Sequence, residues 1–192
     1  MKKYEFTGEV KVKFGVTLKR IRAIIDFGNV KKGEIGGLIE KEENLSHENS
    51  AWIYGNAEVY GNARIYGNAE IYGSAEVYGN AEVYGDAWIS GSARVSGSAR
   101  IYGSADYMLI GRIGSRFGFT TFFKNKNKGV SVSCGCFSGT LAEFRKKVKE
   151  THGTDTKYAK VYQAAADLAE MQILDNEKAD GVSASIVKQG GK

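Results

Sequence analysis

Proline is absent from the 192-residue chain, and cysteine and histidine occur only twice each. Without proline, the turns must come from the 25 glycines together with Asn, Asp and Ser, which favours a turn-rich β architecture. Cys134 and Cys136 are separated by one glycine, so they are too close and too few for a disulfide framework and lack the second pair of a zinc site. Two histidines cannot form a three-histidine metal site. We therefore expect reduced thiols and no metal or cofactor.

Long apolar runs are also absent: no segment approaches the ~20 apolar residues that a membrane-spanning helix needs. The N-terminal sequence MKKYEFTGEVKVKF alternates polar and apolar residues and has no apolar signal core. A cytoplasmic protein without a membrane partner is therefore expected.

The net charge of +5 is unevenly distributed. Residues 1–50 hold ten Lys and Arg against eight Asp and Glu, and residues 51–106 hold three against six. Residues 107–192 hold 14 against eight, a net charge of +6. An anionic partner is therefore to be sought first at the C-terminal third of the chain.

A strict six-residue repeat dominates the middle of the chain. From Ala51 to Ala105 alanine recurs every six residues, and an aliphatic residue follows each alanine except the last by two positions. Residues two apart in an extended segment share a face, so alanine and the aliphatic residue must point to the interior while glycine with Asn, Ser or Asp makes the bend. A fixed short period of this kind predicts a solenoid.

The repeat unit V-Y-G-N-A-E resembles the hexapeptide-repeat family of left-handed parallel β-helices. That resemblance implies a three-sided coil of three hexads, about three regular coils, and an oligomer in which a trimer is favoured. The fold hosts enzymes and inert scaffolds alike, so it does not assign a function.

Three hexads per coil place residues i and i+18 on neighbouring coils. Outward tyrosines and tryptophans then form columns that could stack ligands or a partner subunit, the alternative being ordinary β-surface packing. The candidate stacking or interface residues are Tyr66, Tyr84, Tyr102, Trp52 and Trp88.

The flanks of the repeat divide the chain further. Residues 1–50 are predicted to form an N-terminal β cap and an irregular first coil, with Ile39 and Leu45 continuing the alanine column backward. Residues 51–106 form the β-helix, residues 107–175 a small basic ββαα module, and residues 176–192 a mobile tail. The overall class is mainly β. The segment TLKR to NSAW is similar to the leader of hexapeptide-repeat proteins common in phages and prophages, and the C-terminal module resembles one that accompanies it.

Within that module, GRIGSRFGFTT combines flexible glycines, two arginines and three hydroxyls, which suits phosphate or carboxylate recognition. The lysines of the turn KNKNKG could extend the same surface, although a strand-connecting loop with solvated charges explains the composition equally well. The candidate ligand residues are Arg112, Ser115, Arg116, Thr120, Thr121, Lys124 and Lys126.

The two histidines offer little chemistry. His47 precedes the first coil and could act as an acyl-transfer base at a subunit interface, but a solvated loop residue is the simpler interpretation. His152 lies at a predicted helix end, where a helix dipole explains it.

The sequence therefore favours a non-catalytic, phage-type accessory protein of the bacterial cytoplasm. Its β-helix would form an oligomer and present the basic module to an anionic, nucleotide-like ligand or a host protein, with interference in host defence as the purpose. Two alternatives stay open: an acyltransferase using coenzyme A, and a nucleic-acid-binding protein whose affinity falls steeply with salt.

Overall fold

The structure is a computed structural model that describes the backbone of residues 1–186 and the side chains of residues 1–174. It is mainly β: a parallel β-solenoid of about four turns, preceded by a β-hairpin and followed by a sheet and two helices. Within the described part of the chain, no helix is both long enough and apolar enough to cross a lipid bilayer.

A hairpin and a short strand close the N-terminal end of the solenoid. Strands β1 (Tyr4–Lys13) and β2 (Val16–Ala23) pair antiparallel around a turn at Gly15, and β2 pairs with β3 (Ile35–Ile39). Tyr4, the first residue of β1, is buried, and the Phe27 ring packs edge-on against Trp52 with ring centres 5.4 Å apart. These aromatic rings cover the open end of the apolar interior.

Nine two-residue strands build the regular coils, and all pair in parallel across the coils. The strands are β4 (Trp52–Ile53), β5 (Glu58–Val59), β6 (Arg64–Ile65), β7 (Glu70–Ile71), β8 (Glu76–Val77), β9 (Glu82–Val83), β10 (Trp88–Ile89), β11 (Arg94–Val95) and β12 (Arg100–Ile101). They form three faces in the orders β3-β5-β8-β11, β4-β7-β10 and β6-β9-β12. Partners are 18 residues apart, as in Arg64 with Glu82 and Glu82 with Arg100, which confirms the predicted coil length.

The interior consists of the two predicted columns. The repeated alanines and aliphatic residues from Ala51 to Ile101 are at most 2% exposed. Each coil bends at a glycine; Gly67 has φ +68°, and a Cβ added there would come within 2.9 Å of the Gly85 nitrogen. Glycine is required here both for the left-handed backbone and for the close approach of the next coil.

The prediction for Ile39 and Leu45 was wrong by two positions. Ile39 pairs with Val59, and Leu45 bridges to Ile65, so both belong to the aliphatic column and not to the alanine column. The extra two residues lie between Leu45 and Ile53, where the chain wraps around the buried Lys3 ammonium. Its Nζ donates hydrogen bonds to the carbonyl oxygens of Glu48, Asn49 and Ala51.

The C-terminal part contains four strands and two helices. Strands β13 (Tyr107–Ile113), β14 (Gly118–Lys124), β15 (Val130–Cys134) and β16 (Phe137–Thr140) form an antiparallel sheet in that order, followed by α1 (Leu141–His152) and α2 (Lys157–Ile186). The predicted ββαα order therefore missed β13 and β16, whose glycines and serine had favoured loops. The predicted cap of α1 is confirmed: Thr140 Oγ1 accepts from the Glu143 N–H, and the Glu143 carboxylate accepts from the Thr140 N–H.

Helix α2 continues beyond its predicted end at Leu174 to Ile186. The tail predicted for residues 176–192 thus overlaps this helix in part, and residues 187–192 lie outside the described residues. Its mobility stays a prediction.

The C-terminal sheet lies between the solenoid and the helices. Along β14, Phe123 belongs to the apolar core of the solenoid, whereas Phe122 belongs to the core formed with α1 and α2. Thr121 Oγ1 accepts a hydrogen bond from the Arg94 backbone N–H at 3.0 Å. The sheet is therefore the lid of the solenoid, and the helices pack on its far side.

Candidate functional site

A cleft forms where the last coil meets the turn between β14 and β15. It has a volume of about 200 Å³ and is named the basic cleft after its lining: Tyr84, Arg100, Tyr102, Asp106, Lys124, Asn125, Lys126 and Lys128. Four of these eight side chains are basic and one is acidic. The cleft thus brings together two groups of predicted residues, the turn lysines and the tyrosine column.

Backbone contacts fix the lysine turn against the last coil. The Lys126 N–H donates to the Ser98 carbonyl at 3.0 Å, and Asn125 forms an isolated bridge with Ala99. The Asn125 side chain accepts from the Asn127 and Gly129 N–H groups and so holds the turn closed. The lysines therefore project from a rigid support.

Two of the four cations have partners in the chain, while the other two face solvent. Arg100 donates to the Glu82 carboxylate at 3.2 Å, and Lys124 Nζ lies 3.5 Å from Asp106 Oδ1. Lys126 and Lys128 are exposed and have no ion-pair partner among the side chains that the structure describes. The cleft thus carries excess positive charge.

The aromatic wall of the cleft is the end of a tyrosine column. Tyr66 and Tyr84 are stacked with ring centres 4.9 Å apart, and Tyr102 packs edge-on against Tyr84 at 5.4 Å. Tyr102 is 63% exposed. A planar ring can rest on Tyr102 while an anionic group contacts the lysines, because aromatic faces stack and charge-assisted hydrogen bonds hold phosphate.

The seven predicted ligand residues do not form one site. Lys124 and Lys126 line the basic cleft. Thr120 and Thr121 are buried, and their hydroxyls are engaged, the first donating to Cys134 Sγ at 3.2 Å and the second accepting from Arg94. Both threonines hold the sheet in place and are not available to a ligand.

Arg112, Ser115 and Arg116 lie at the opposite end of the β13–β14 hairpin, exposed to solvent. Six residues of extended strand, roughly 20 Å, separate that turn from Lys124. The turn is formed by Gly114, at φ +74°, where an added Cβ would overlap the Tyr162 hydroxyl. The glycines of this motif thus serve helix packing, and a ligand role for the three exposed residues stays a prediction.

Sequence reasoning missed Arg100 and Asp106 as members of the site. The 18-residue period places Arg100 beside Glu82, but nothing in the period indicates that the β14–β15 turn folds back onto that coil. Of the predicted tryptophans, Trp52 is fully buried under the N-terminal cap and cannot serve as a stacking surface, whereas Trp88 is 58% exposed.

His47 is poorly placed to act as a base. Its ring stacks on Tyr4 with ring centres 4.3 Å apart, and its Nδ1 accepts the Lys3 backbone N–H. Burial lowers the pKa of His47, so the ring is neutral at pH 7. With Nδ1 as the acceptor, the proton of the neutral ring resides on Nε2, which is a donor and not a base.

The described residues contain no group of three or more His, Cys, Asp or Glu side chains placed to hold a metal ion. Cys134 and Cys136 form no disulfide. No protein-family model matches the chain, and no curated protein matches it.

Proposed function

We propose that this protein is a non-catalytic binding protein that takes an anionic, nucleotide-like ligand in the basic cleft. The observation that carries the proposal is the junction of an exposed tyrosine ring, Tyr102, with the two exposed lysines Lys126 and Lys128. An aromatic face beside cations is the arrangement that a planar ring bearing a phosphate requires.

The size of the cleft limits the ligand. At about 200 Å³ it is smaller than the ~300–1,000 Å³ typical of pockets that enclose a drug-sized molecule. A phosphate group fits inside, and the attached ring lies at the mouth on Tyr102. This favours a nucleoside phosphate over an extended apolar ligand.

The wider role rests on the sequence resemblance. A left-handed hexapeptide-repeat scaffold of phage type would act in the cytoplasm of a bacterial host, where holding a nucleotide signal or a host protein counters a defence system. The resemblance implies a trimer, whereas the surface charges of the chain favour the dimer proposed below, and a mass measurement decides between the two.

Isothermal titration calorimetry with ADP tests the site. Lys126→Glu combined with Lys128→Glu should weaken ADP binding at least tenfold, about 1.4 kcal/mol, since it replaces attraction by repulsion. The matched control is Lys146→Glu with Lys147→Glu, which makes the same charge change on exposed positions of α1 and should leave the affinity unchanged.

Inorganic pyrophosphate and Tyr102→Ala separate the two parts of the cleft. Tyr102→Ala should weaken ADP binding but not pyrophosphate binding, because only ADP carries a ring. No heat with either probe, or equal loss in the α1 control, would contradict the proposal.

One observation also favours the nucleic-acid alternative: lysines beside successive tyrosines are typical of single-strand binders. Binding of an oligothymidylate that falls steeply with salt and exceeds ADP binding would select it. The acyltransferase alternative requires His47 as a base, and the hydrogen bond at Nδ1 argues against that role.

A further inference from the structure

One face of the solenoid carries opposite charge at its two ends. It is the sheet β6-β9-β12 with its tyrosine column, and we name it the tyrosine face. Its C-terminal end is the basic cleft. Its N-terminal end is a second cleft of about 670 Å³ lined by Glu42, Glu43, Leu45, Ser46, His47, Glu48, Arg64, Ile65 and Tyr66.

The N-terminal cleft has negative charge that the chain does not neutralise. Lys2 pairs with Glu42 at 2.6 Å. Glu43 and Glu48 are exposed and have no ion-pair partner among the described side chains. Two unpaired carboxylates thus lie at one end of the face and two unpaired ammonium groups, Lys126 and Lys128, at the other.

The rows between these ends alternate in sign. The bridge from Leu45 to Ile65 puts the buried Asn44 in register with Arg64, so that the acidic loop on either side of Asn44 lies one row before Arg64. Arg64 is followed by Glu82 and Arg100 in consecutive coils. The order along the face is therefore negative, positive, negative, positive, with the two turn lysines beyond the last row.

This order is complementary to itself when reversed. If a second copy lies antiparallel on the face, the acidic loop meets the row of Arg100, and Arg64 meets Glu82 of the other copy. Every row then faces its opposite charge, and the turn lysines flank the partner's acidic loop. At about 4.8 Å between rows, the four rows span roughly 14 Å.

We propose that two copies of the chain pair antiparallel through their tyrosine faces about a two-fold axis. A two-fold arrangement uses the same patch twice and closes, so it gives a dimer and not a chain of subunits. The tyrosines suit such a contact because their rings supply buried area and their hydroxyls keep hydrogen bonds. The pairing needs no bound ligand, but it covers Tyr102, Lys126 and Lys128 of the basic cleft, so pairing and nucleotide binding exclude each other and bound ADP should dissociate the dimer.

A charge-swap experiment on the full chain tests the pairing by sedimentation velocity. The wild type should sediment with twice the 20.9 kDa mass of the chain at low salt and dissociate as salt screens the charges. The acid-end variant, Glu43→Lys with Glu48→Lys, and the base-end variant, Lys126→Glu with Lys128→Glu, should each be monomeric.

Mixing the two variants is the decisive step. The acid-end variant is positive at both ends and the base-end variant is negative at both ends, so in a mixed pair every positive end faces a negative one and an equimolar mixture should recover the dimer. Circular dichroism checks that both variants are folded, and Glu43→Gln with Glu48→Gln gives a milder form of the acid-end change that should weaken the dimer less. A monomeric or trimeric wild type, dimers in both variants, or a mixture that stays monomeric would overturn the proposal.

Discussion

The solenoid and the C-terminal lid solve the same packing problem in different ways. The solenoid repeats one small unit, and its alanine and aliphatic columns are almost completely buried along their whole length. The lid uses a single sheet whose alternating residues serve two cores, Phe123 for the solenoid and Phe122 for the helices. Regular packing fixes the frame, and the two groups of exposed charges that no described side chain pairs, Glu43 with Glu48 and Lys126 with Lys128, lie beyond its first and last coils.

The largest effect is expected from a charged residue placed in the buried aliphatic column of the repeat. Ile71→Asp places a carboxylate in the centre of a fully buried column and should prevent folding, at a cost on the order of 4 kcal/mol or more. Ser74→Asp in the same coil adds the same charge at an exposed turn position and should melt like the wild type. A cooperative melt of Ile71→Asp near the wild-type temperature would show that the column is less rigid than its packing indicates.

The next effect tests the link between lid and solenoid. Phe123→Ala removes a ring that is 1% exposed in the solenoid core and should cost about 3–5 kcal/mol in urea unfolding. Phe119→Ala, on the same strand but 42% exposed, should cost less than about 1 kcal/mol. Equal losses would mean that the lid contributes little to the solenoid.

The two regions also differ in how far the sequence predicts them. The six-residue period is enough to assign the interior columns, because each coil repeats the same local choice, whereas the 18-residue coil and the tyrosine stacks also needed the family resemblance, which implies three hexads per coil. It failed where the period breaks, at Ile39 and Leu45, since the two extra residues around Lys3 follow from a contact 45 or more residues away.

In the lid, Thr140 and Glu143 predict the start of α1 because they form a capping box within four residues of each other, and that prediction is confirmed. The four-residue strand Phe137–Thr140 and the fold-back of Asn125 onto Ala99 depend on pairing with distant residues. The sequence therefore predicts the lysines and tyrosines of the candidate site as separate groups. It does not predict that the two groups line the same cleft.

A third prediction concerns the opposite, N-terminal cap and its buried cation. Burial lowers the pKa of Lys3 to about 8, against 10.5 for an unperturbed lysine. Above pH 8 the unfolded chain therefore binds more protons than the folded one, and stability should rise with pH by up to ~2 kcal/mol between pH 8 and 9.5.

Urea unfolding at pH 7.5 and pH 9.5 measures this difference. Lys3→Met should abolish the rise, whereas Lys2→Met, at an exposed neighbouring position, should keep it. The window ends below pH 10 because burial raises the pKa of several tyrosines, Tyr4 and Tyr54 among them, and their ionisation favours unfolding at higher pH. A rise that survives in Lys3→Met would place its origin elsewhere.

The substitution with the smallest expected effect on stability is at Arg100, and it tests whether binding can be lost while the fold is kept. Arg100 and Glu82 form an exposed pair, 54% and 28% exposed, which contributes less than about 1 kcal/mol to folding. Arg100→Ala should therefore melt nearly like the wild type and yet weaken both ADP binding and self-association, because Arg100 lines the basic cleft and faces the partner's acidic loop. Arg64→Ala removes the arginine that lies two coils before Arg100 on the same face and outside the basic cleft. This variant should weaken self-association but not ADP binding. If both variants lose ADP binding equally, the ligand occupies the whole face, and the cleft is not a site of its own.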